Sequence, residues 1–219
     1  MEEILGLNNL VKVPKKLNCE IRIYGDNNVI EVDETAEITG KLIVYGNNTT
    51  TKIGKNVHGH IFLAMGWNDG RCADFSQFSI DGATNLGDVK FQFMERNSKI
   101  SVGKGCLFST GIDVFCSDTH SVIDLEGNLL NYGHFIEIGN HVWIGKDVKI
   151  GKNVKIADNS IIGWGSVVTK SFSQSNVIIA GNPAKVVKEN INWDGNCPDI
   201  YLDKHKNTKS SITDSENPS

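Results

Sequence analysis

One short segment of the sequence places a histidine close to a carboxylate. Asp118 and His120 stand at the head of residues 116–135, CSDTHSVIDLEGNLLNYGHF. Histidine is the side chain whose pKa ordinarily lies nearest neutrality, so it suits a general base that takes a proton from a hydroxyl. Asp118 is placed to orient the ring or favour its charged form, although a two-residue separation establishes no contact. On spacing alone His120 reads more often as a surface histidine, and His134 is the rival base.

The cysteines and the other histidines indicate no second chemistry. An odd number of cysteines without a CxxC pair argues against a disulfide framework or a zinc ribbon. Cys116 borders the segment and is a candidate nucleophile, but free cysteine is more often a buried, inert thiol. A zinc enzyme would need three converging histidines. His58 and His60 alternate along one strand, whereas His134 and His141 repeat no ligand spacing, so we expect no metal. The five cysteines are Cys19, Cys72, Cys106, Cys116 and Cys197.

A strict six-residue repeat predicts the elements that position these groups. From residue 138 the chain reads IGNHVW, IGKDVK, IGKNVK, IADNSI, IGWGSV, VTKSFS, with Ile or Val first and a small residue second. A helix needs apolar spacing near 3.6 residues, and a hairpin sheet needs alternation broken by paired turns. The repeat therefore predicts a parallel β-helix.

Three hexads close one triangular coil, so residues eighteen apart should stack. Ile138 is then expected under Ile156, and Ile144 under Ile162. We expect the small second residue to form a tight corner, because glycine tolerates unusual backbone angles. Residues 116–135 break the hexad order and should project as a loop from a rigid scaffold, a favoured place for catalytic groups.

The rest of the chain repeats less regularly. IRIYGDNNVIEV at 21–32 recurs as LIVYGNNTTTKI at 42–53, an offset of 21 that indicates coils enlarged at a corner. Residues 66–97 lose the glycine hexad, which predicts longer loops there. We predict an all-β chain in four parts. These are an N-terminal cap at 1–20, a β-helix at 21–182, a C-terminal helix and extension at 183–202 beginning with PAKVVKENI, and a disordered tail at 203–219.

The composition excludes several other classes. At 39% hydrophobic and 22% charged residues, the 219-residue chain has the make-up of a soluble globular protein. It has no apolar run of membrane-span length, and its start lacks the features of a signal peptide. A formal charge of −4 gives no sign of nucleic-acid binding. We therefore expect a cytoplasmic protein without a membrane span.

Residues 98–193 resemble the hexapeptide-repeat acyltransferases, and most closely the bacterial capsular-polysaccharide O-acetyltransferases, including those that act on polysialic acid. The matches that carry the resemblance are SDTH (117–120), GNHVWIG (139–145) and VIIAGNPAKVVKENINW (177–193). The resemblance implies a left-handed coil, against the general preference of parallel crossovers. It also implies acetyl-CoA as cosubstrate, a saccharide acceptor, no metal, and a homotrimer with acetyl-CoA between adjacent prisms.

The resemblance also assigns residues. His120 matches the family's catalytic base for direct acetyl transfer, and Trp143 matches an active-site tryptophan, although interface packing would explain it equally well. The family's G-x-G-S coil contacts the pantetheine arm through backbone amides, and its lysines lie near the CoA phosphates. For each matching lysine a solvated surface charge is as common a reading. Thr169 stands where the family often has an aromatic residue, which leaves acceptor recognition open. The cofactor-binding set is Trp143, Gly163, Trp164, Gly165, Ser166, Lys170, Ala180 and Lys185, and the acceptor-binding set is Tyr132 and His134.

Two other functions remain open at this point. One is an N-acetyltransferase that modifies an amino sugar or nucleotide sugar, since only the acceptor segment would differ. The other is a non-catalytic β-helix that binds glycans or acts as a spacer. A spacer has no need of the irregular segment with His120 together with the G-x-G-S and GNPAK segments.

Overall fold

The computed structural model describes residues 2–213 of the chain, and the side chains of residues 2–206. The backbone forms a left-handed parallel β-helix whose coils are triangular in section, as predicted. The three sides of this prism are called faces 1, 2 and 3, in the order in which the chain passes through them. A corner is named by the two faces that it joins.

The strands stack in register along each face. Face 3 consists of β2 (Leu10–Lys12), β4 (Val29–Val32), β6 (Thr50–Ile53), β8 (Gln77–Ile80), β10 (Lys99–Val102), β13 (Phe135–Ile138) and β16 (Val154–Ile156). In the C-terminal half, face 1 consists of β11 (Leu107–Phe108), β14 (Trp143–Ile144), β17 (Ile161–Ile162) and β19 (Ile178–Gly181), and face 2 of β12 (Ile112–Cys116), β15 (Lys149–Gly151) and β18 (Val167–Val168). Towards the N-terminus the first two faces merge into longer strands, β1 (Glu2–Leu5), β3 (Asn18–Tyr24), β5 (Glu37–Tyr45), β7 (His58–Met65) and β9 (Asn85–Phe93).

The strand registers confirm the predicted repeat lengths. Ile138 pairs with Ile156 and Ile144 with Ile162, eighteen residues apart. In the N-terminal half Leu42 pairs with Ile21, at the predicted offset of 21. The loop between β7 and β8 enlarges the next coil, as expected for residues 66–97. Since side chains alternate along a strand, the first hexad residue always points inward, and these aliphatic residues form one continuous core.

The corners differ from the prediction in how they use glycine. The left-handed backbone conformation falls on the fourth hexad residue, as at Asp147, Asn153 and Asn159, each with φ of 58°. Several second-position glycines are needed for a different reason, the closeness of the next coil. A Cβ on Gly145 would lie 2.9 Å from the Ile162 carbonyl oxygen, and one on Gly139 would lie 2.3 Å from Asp158 Oδ1.

This difference can be tested with a matched pair of glycines. Gly145→Ala is expected to destabilise the fold by about 1–3 kcal/mol, because backbone atoms of the next coil must move. Gly151→Ala, at the same hexad position, is expected to change stability little, because its Cβ would meet its nearest neighbour, the Val168 carbonyl oxygen, at 3.6 Å. Urea denaturation followed by circular dichroism measures both. Equal destabilisation by the two substitutions would contradict the explanation.

At both ends of the β-helix the observed boundaries differ from the predicted ones. The residues assigned to an N-terminal cap form a first coil instead, since β1 pairs in parallel with β3, and β2 with β4. PAKVVKENI does not form a helix, because β20 (Ala184–Lys188) turns back and pairs antiparallel with β19, covering the edge of face 1.

The C-terminal helix exists but begins later than predicted. Helix α1 spans Pro198–Thr213, so most of the predicted extension precedes it and residues 203–213 of the predicted disordered tail are helical. The remainder of that tail, 214–219, lies outside the described residues. No helix within residues 2–213 has the length and apolar character needed to cross a membrane.

Candidate functional site

Residues 117–134 project from corner 2-3, between β12 and β13. The middle of this loop is a short hairpin in which Ile123 bridges Leu129 and the Leu130 amide donates to the Val122 carbonyl at 2.8 Å. Its aliphatic side chains are exposed, and Leu125 at the tip is fully so. The rigid prism therefore carries an apolar projection that its own chain leaves uncovered.

His120 lies at the start of this loop in a constrained turn. Thr119 has φ of +67°, and the His120 amide donates to the Asp118 carbonyl oxygen at 2.7 Å. The His120 residue itself is exposed. The backbone is thus fixed while the side chain remains accessible to a substrate.

Asp118 does not orient the His120 ring, which corrects the sequence interpretation. The Asp118 carboxylate accepts hydrogen bonds from Lys152 Nζ and from Asn131 Nδ2, the latter at 2.9 Å. Among the described residues no hydrogen bond joins it to the imidazole. The Lys152 hydrogen bond, followed by that from Asn131, lowers the pKa of Asp118 below its ordinary value, so this group is ionised near neutrality.

The two predicted acceptor-binding residues lie at the same corner. The Tyr132 and His134 rings are 4.6 Å apart, and both residues are exposed. Tyr132 Oη donates to the Arg96 carbonyl oxygen at 3.1 Å, and the His134 amide donates to Asn153 Oδ1 at 2.9 Å. The structure therefore brings both together with His120 at corner 2-3, and His134 remains the rival base.

Glu95 is a group at this corner that the sequence analysis missed. It accepts a hydrogen bond from Ser117 Oγ at 2.7 Å, while its Oε2 is buried without a hydrogen-bond partner among the described residues. Burial raises the pKa of Glu95, although the Ser117 hydrogen bond opposes this. Glu95 and Ser117 are 22 residues apart in the sequence, which is close to the length of one enlarged coil. This spacing is the only sequence signal that could have identified Glu95.

Trp143 lies on face 1, where its side chain points outward. It belongs to a row with Leu107 and Ile161, and it is 39% exposed. The sequence analysis did not identify its aromatic neighbour Trp193, whose ring centroid is 6.1 Å away. Trp193 stacks on His141 at 4.1 Å and donates from Nε1 to the His141 carbonyl oxygen at 2.8 Å. The C-terminal segment therefore adds an aromatic side chain beside Trp143.

Most of the predicted cofactor-binding residues meet at corner 1-2. A Cβ on Gly163 would lie 2.9 Å from Ala180 Cβ, and Ala180 pairs with Lys185 across the β19–β20 hairpin. Trp164 projects from the same corner, 75% exposed, with Lys146 Nζ 6.0 Å from its ring. Two members of the set lie elsewhere, Trp143 on face 1 and Lys170 at corner 2-3, where it follows β18.

The amides predicted to contact pantetheine are largely used within the coil stack. The Gly163 amide donates to the Ile179 carbonyl at 2.8 Å, and the Gly165 amide to the Lys146 carbonyl at 2.9 Å. Ser166 is fully buried, donates to the Gly163 carbonyl at 2.6 Å and accepts from the Gly181 amide at 3.1 Å. The Gly163 and Gly165 amides are therefore already hydrogen-bonded within the coil stack, and the Ser166 hydroxyl holds the same corner.

Corner 1-2 nevertheless fits a long, thin cofactor with phosphates. A Cβ on Gly165 would meet no atom within 4 Å, so the surface above it is open. Trp164 offers an exposed apolar surface, and Lys146 and Lys185 are exposed cations. Trp164 and Lys185 are therefore accessible to such a cofactor, and so is Lys146, which the sequence analysis did not name.

The Cys116 thiol is not a nucleophile. It is fully buried, and burial raises its pKa to about 12. This confirms the interpretation of Cys116 as an inert thiol. Within the described part of the chain, no cluster of three or more His, Cys, Asp or Glu residues is arranged to hold a metal ion.

The predicted site residues therefore fall into two groups on different parts of the prism. His120, Tyr132 and His134 lie at corner 2-3, whereas Trp143 lies on face 1. In a triangular coil, the corner between faces 2 and 3 is opposite face 1. One chain by itself does not bring His120 and Trp143 together.

Comparison with known proteins shows close relatives across nearly the whole chain. Residues 135–170 match the bacterial transferase hexapeptide family (six repeats). A polysialic acid O-acetyltransferase of Neisseria meningitidis is 35% identical over 193 residues, which cover 86% of this chain and 86% of that protein. The crystal structure of the polysialic-acid-specific acetyltransferase NeuO superposes with a TM-score of 0.79 at 26% identity, over 97% of this chain and 98% of that one. The crystal structure of the polysialic acid O-acetyltransferase OatWY superposes with a TM-score of 0.75 at 29% identity, over 95% of this chain and 99% of that one.

Proposed function

Because the chain belongs to the family of hexapeptide-repeat polysialic acid O-acetyltransferases, we propose that it transfers the acetyl group of acetyl-CoA to a hydroxyl of a sialic-acid-containing polysaccharide. The observation that carries the proposal is the placement of His120. Its backbone is held in a fixed turn on a rigid prism, and the residue is exposed. This is the arrangement that a general base for a large, external acceptor requires.

His120 moves one proton in the proposed reaction. The imidazole takes the proton of the acceptor hydroxyl as that oxygen attacks the thioester carbonyl carbon. A C–O bond forms, the C–S bond breaks, and the leaving CoA sulfur receives the proton from the imidazolium. Cys116 cannot carry an acyl group because it is buried, and the Ser117 hydroxyl is buried and donates to Glu95. Direct transfer without an acyl-enzyme is the mechanism that these residues support.

Corner 1-2 and face 1 are the proposed donor site. Trp164 provides exposed aromatic surface beside the open position above Gly165, and Trp143 provides it on face 1. Lys146 and Lys185 are placed to meet phosphates. Acetyl-CoA is a cytoplasmic metabolite, so the proposed reaction takes place in the cytoplasm.

The separation of His120 from Trp143 supports a homotrimer in which adjacent copies share each site. The exposed aliphatic residues of the projecting hairpin need an apolar partner, and face 1 offers an outward apolar row. In the proposed assembly, the hairpin of one copy lies against face 1 of the next, which brings His120 to the neighbouring donor site. The hairpin residues are Val122, Ile123, Leu125, Leu129 and Leu130, and the row on face 1 is Leu107, Trp143, Ile161 and Ile178.

A thiol-release assay tests the acceptor class. Free CoA is measured with acetyl-CoA and, in turn, polysialic acid, a neutral capsular polymer or an amino sugar. We expect release with polysialic acid that depends on enzyme and acceptor, and an alkali-labile acetyl ester on the product. Preferential release with the amino sugar would instead favour N-acetylation, and no release with any acceptor would favour a non-catalytic glycan-binding protein.

A further inference from the structure

Three side chains tie the His120 turn to the rigid prism. Asn131 Nδ2 donates to Asp118 Oδ2 at 2.9 Å and to the His120 carbonyl oxygen at 2.8 Å. Lys152 Nζ donates to the Asn131 carbonyl oxygen at 2.5 Å and forms an ion pair with Asp118. The two ends of the loop, at 118–120 and at 131, are thereby joined to each other and to Lys152.

Lys152 differs from the other lysines of its coil. It follows β15 directly, so its backbone belongs to the regular part of the β-helix and not to the loop. Its side chain is only 16% exposed, whereas that of Lys149, which pairs with Asp113 at 3.5 Å, is 61% exposed. A lysine with several charge-assisted hydrogen bonds and little solvent contact holds its partners more firmly than an exposed ion pair does.

We propose that Lys152 and Asn131 are positioning residues that act through His120. Lys152 anchors the Asp118 carboxylate and the Asn131 backbone to the prism, and the Asn131 amide fixes the carbonyl of His120 itself. The inference rests on the proposed function, in which His120 is the base. A base displaced by about 1 Å can lose on the order of 100-fold in rate, so these contacts act on turnover more than on binding.

Lys152→Met tests the proposal in the full-length enzyme with acetyl-CoA and polysialic acid. We expect kcat to fall on the order of 10- to 100-fold, while KM for both substrates changes less than about threefold. Lys152→Arg should recover much of the loss, because a guanidinium also reaches two acceptors. Lys149→Met is the matched control on the same coil, and it should leave kcat within about twofold. A rise in KM for the acceptor with unchanged kcat would show that Lys152 binds the polymer, and would overturn the proposal.

A double-mutant cycle separates positioning from a general structural effect. In a His120→Ala background, Lys152→Met is expected to lower the residual rate no further, because its effect passes through the missing imidazole. If Lys152→Met lowers the rate by the same factor in the wild-type and His120→Ala enzymes, the proposal is overturned. Asn131→Ala provides the same test if Lys152→Met does not fold, since it removes the contact with the His120 carbonyl and leaves the Lys152–Asp118 pair. Full activity of His120→Ala would instead contradict the assignment of His120 as the base, on which the inference rests, so the two failures are distinguishable.

Discussion

His120→Ala is expected to lower kcat by about 100- to 10,000-fold, the range that general-base catalysis contributes. The affinity for CoA should remain, because the donor site at corner 1-2 is built from other residues. Turnover is measured by thiol release at saturating acetyl-CoA, and CoA binding by isothermal titration calorimetry.

Two further histidine variants make this result specific. His134→Ala, at the same corner, should reduce turnover far less and act mainly on KM for the acceptor. His58→Ala, on a strand distant from the loop, should have no effect on either constant. If His134→Ala abolishes turnover and His120→Ala does not, the two histidines exchange roles and His134 is the base.

Mixed assemblies are expected to regain activity that neither parent has. His120→Ala and Trp143→Ala should each be nearly inactive as single variants. When both are co-expressed with different tags and purified through both, every trimer retained contains both variants, so about one third of the shared sites should combine one intact His120 with one intact Trp143. Activity should rise in proportion, because in the proposed assembly the two residues of each site come from different copies.

The control for this experiment pairs two variants of the same residue. Mixed assemblies of His120→Ala and His120→Gln lack the base in every copy, so they should stay inactive. Sedimentation analysis of the mixture confirms that mixed trimers are present. If mixed trimers of His120→Ala and Trp143→Ala form and remain inactive, the site is not shared between copies.

The sequence predicted the coil repeat well because each hexad carries its own local signal. Ile138, Ile144 and their successors set the register without reference to distant residues. The same signal could not show why glycine occupies the second hexad position. Glycine is favoured both where a neighbouring coil leaves no room for a Cβ and where the backbone adopts a left-handed conformation. In the folded chain Gly145 faces the next coil, while Asp147 has the positive φ.

The C-terminal segment and parts of the candidate site depended on contacts between residues far apart in the chain. PAKVVKENI has a helical start signal in its proline, yet its pairing with β19 determines its structure. Asp118 meets Lys152 34 residues later, and Trp193 meets His141 across 52 residues. No local pattern predicts such contacts, so the sequence analysis assigned Asp118 the wrong partner and missed Trp193.

Within residues 2–213, the first coil, formed by β1 and β2, stacks on the coil that follows it. In such solenoids each unit contacts its immediate neighbours, so units can be gained or lost at a free end without disturbing distant ones. Each added coil would lengthen the prism by about 4.8 Å. The length of the prism and the residues at corner 2-3 can therefore diverge independently during evolution.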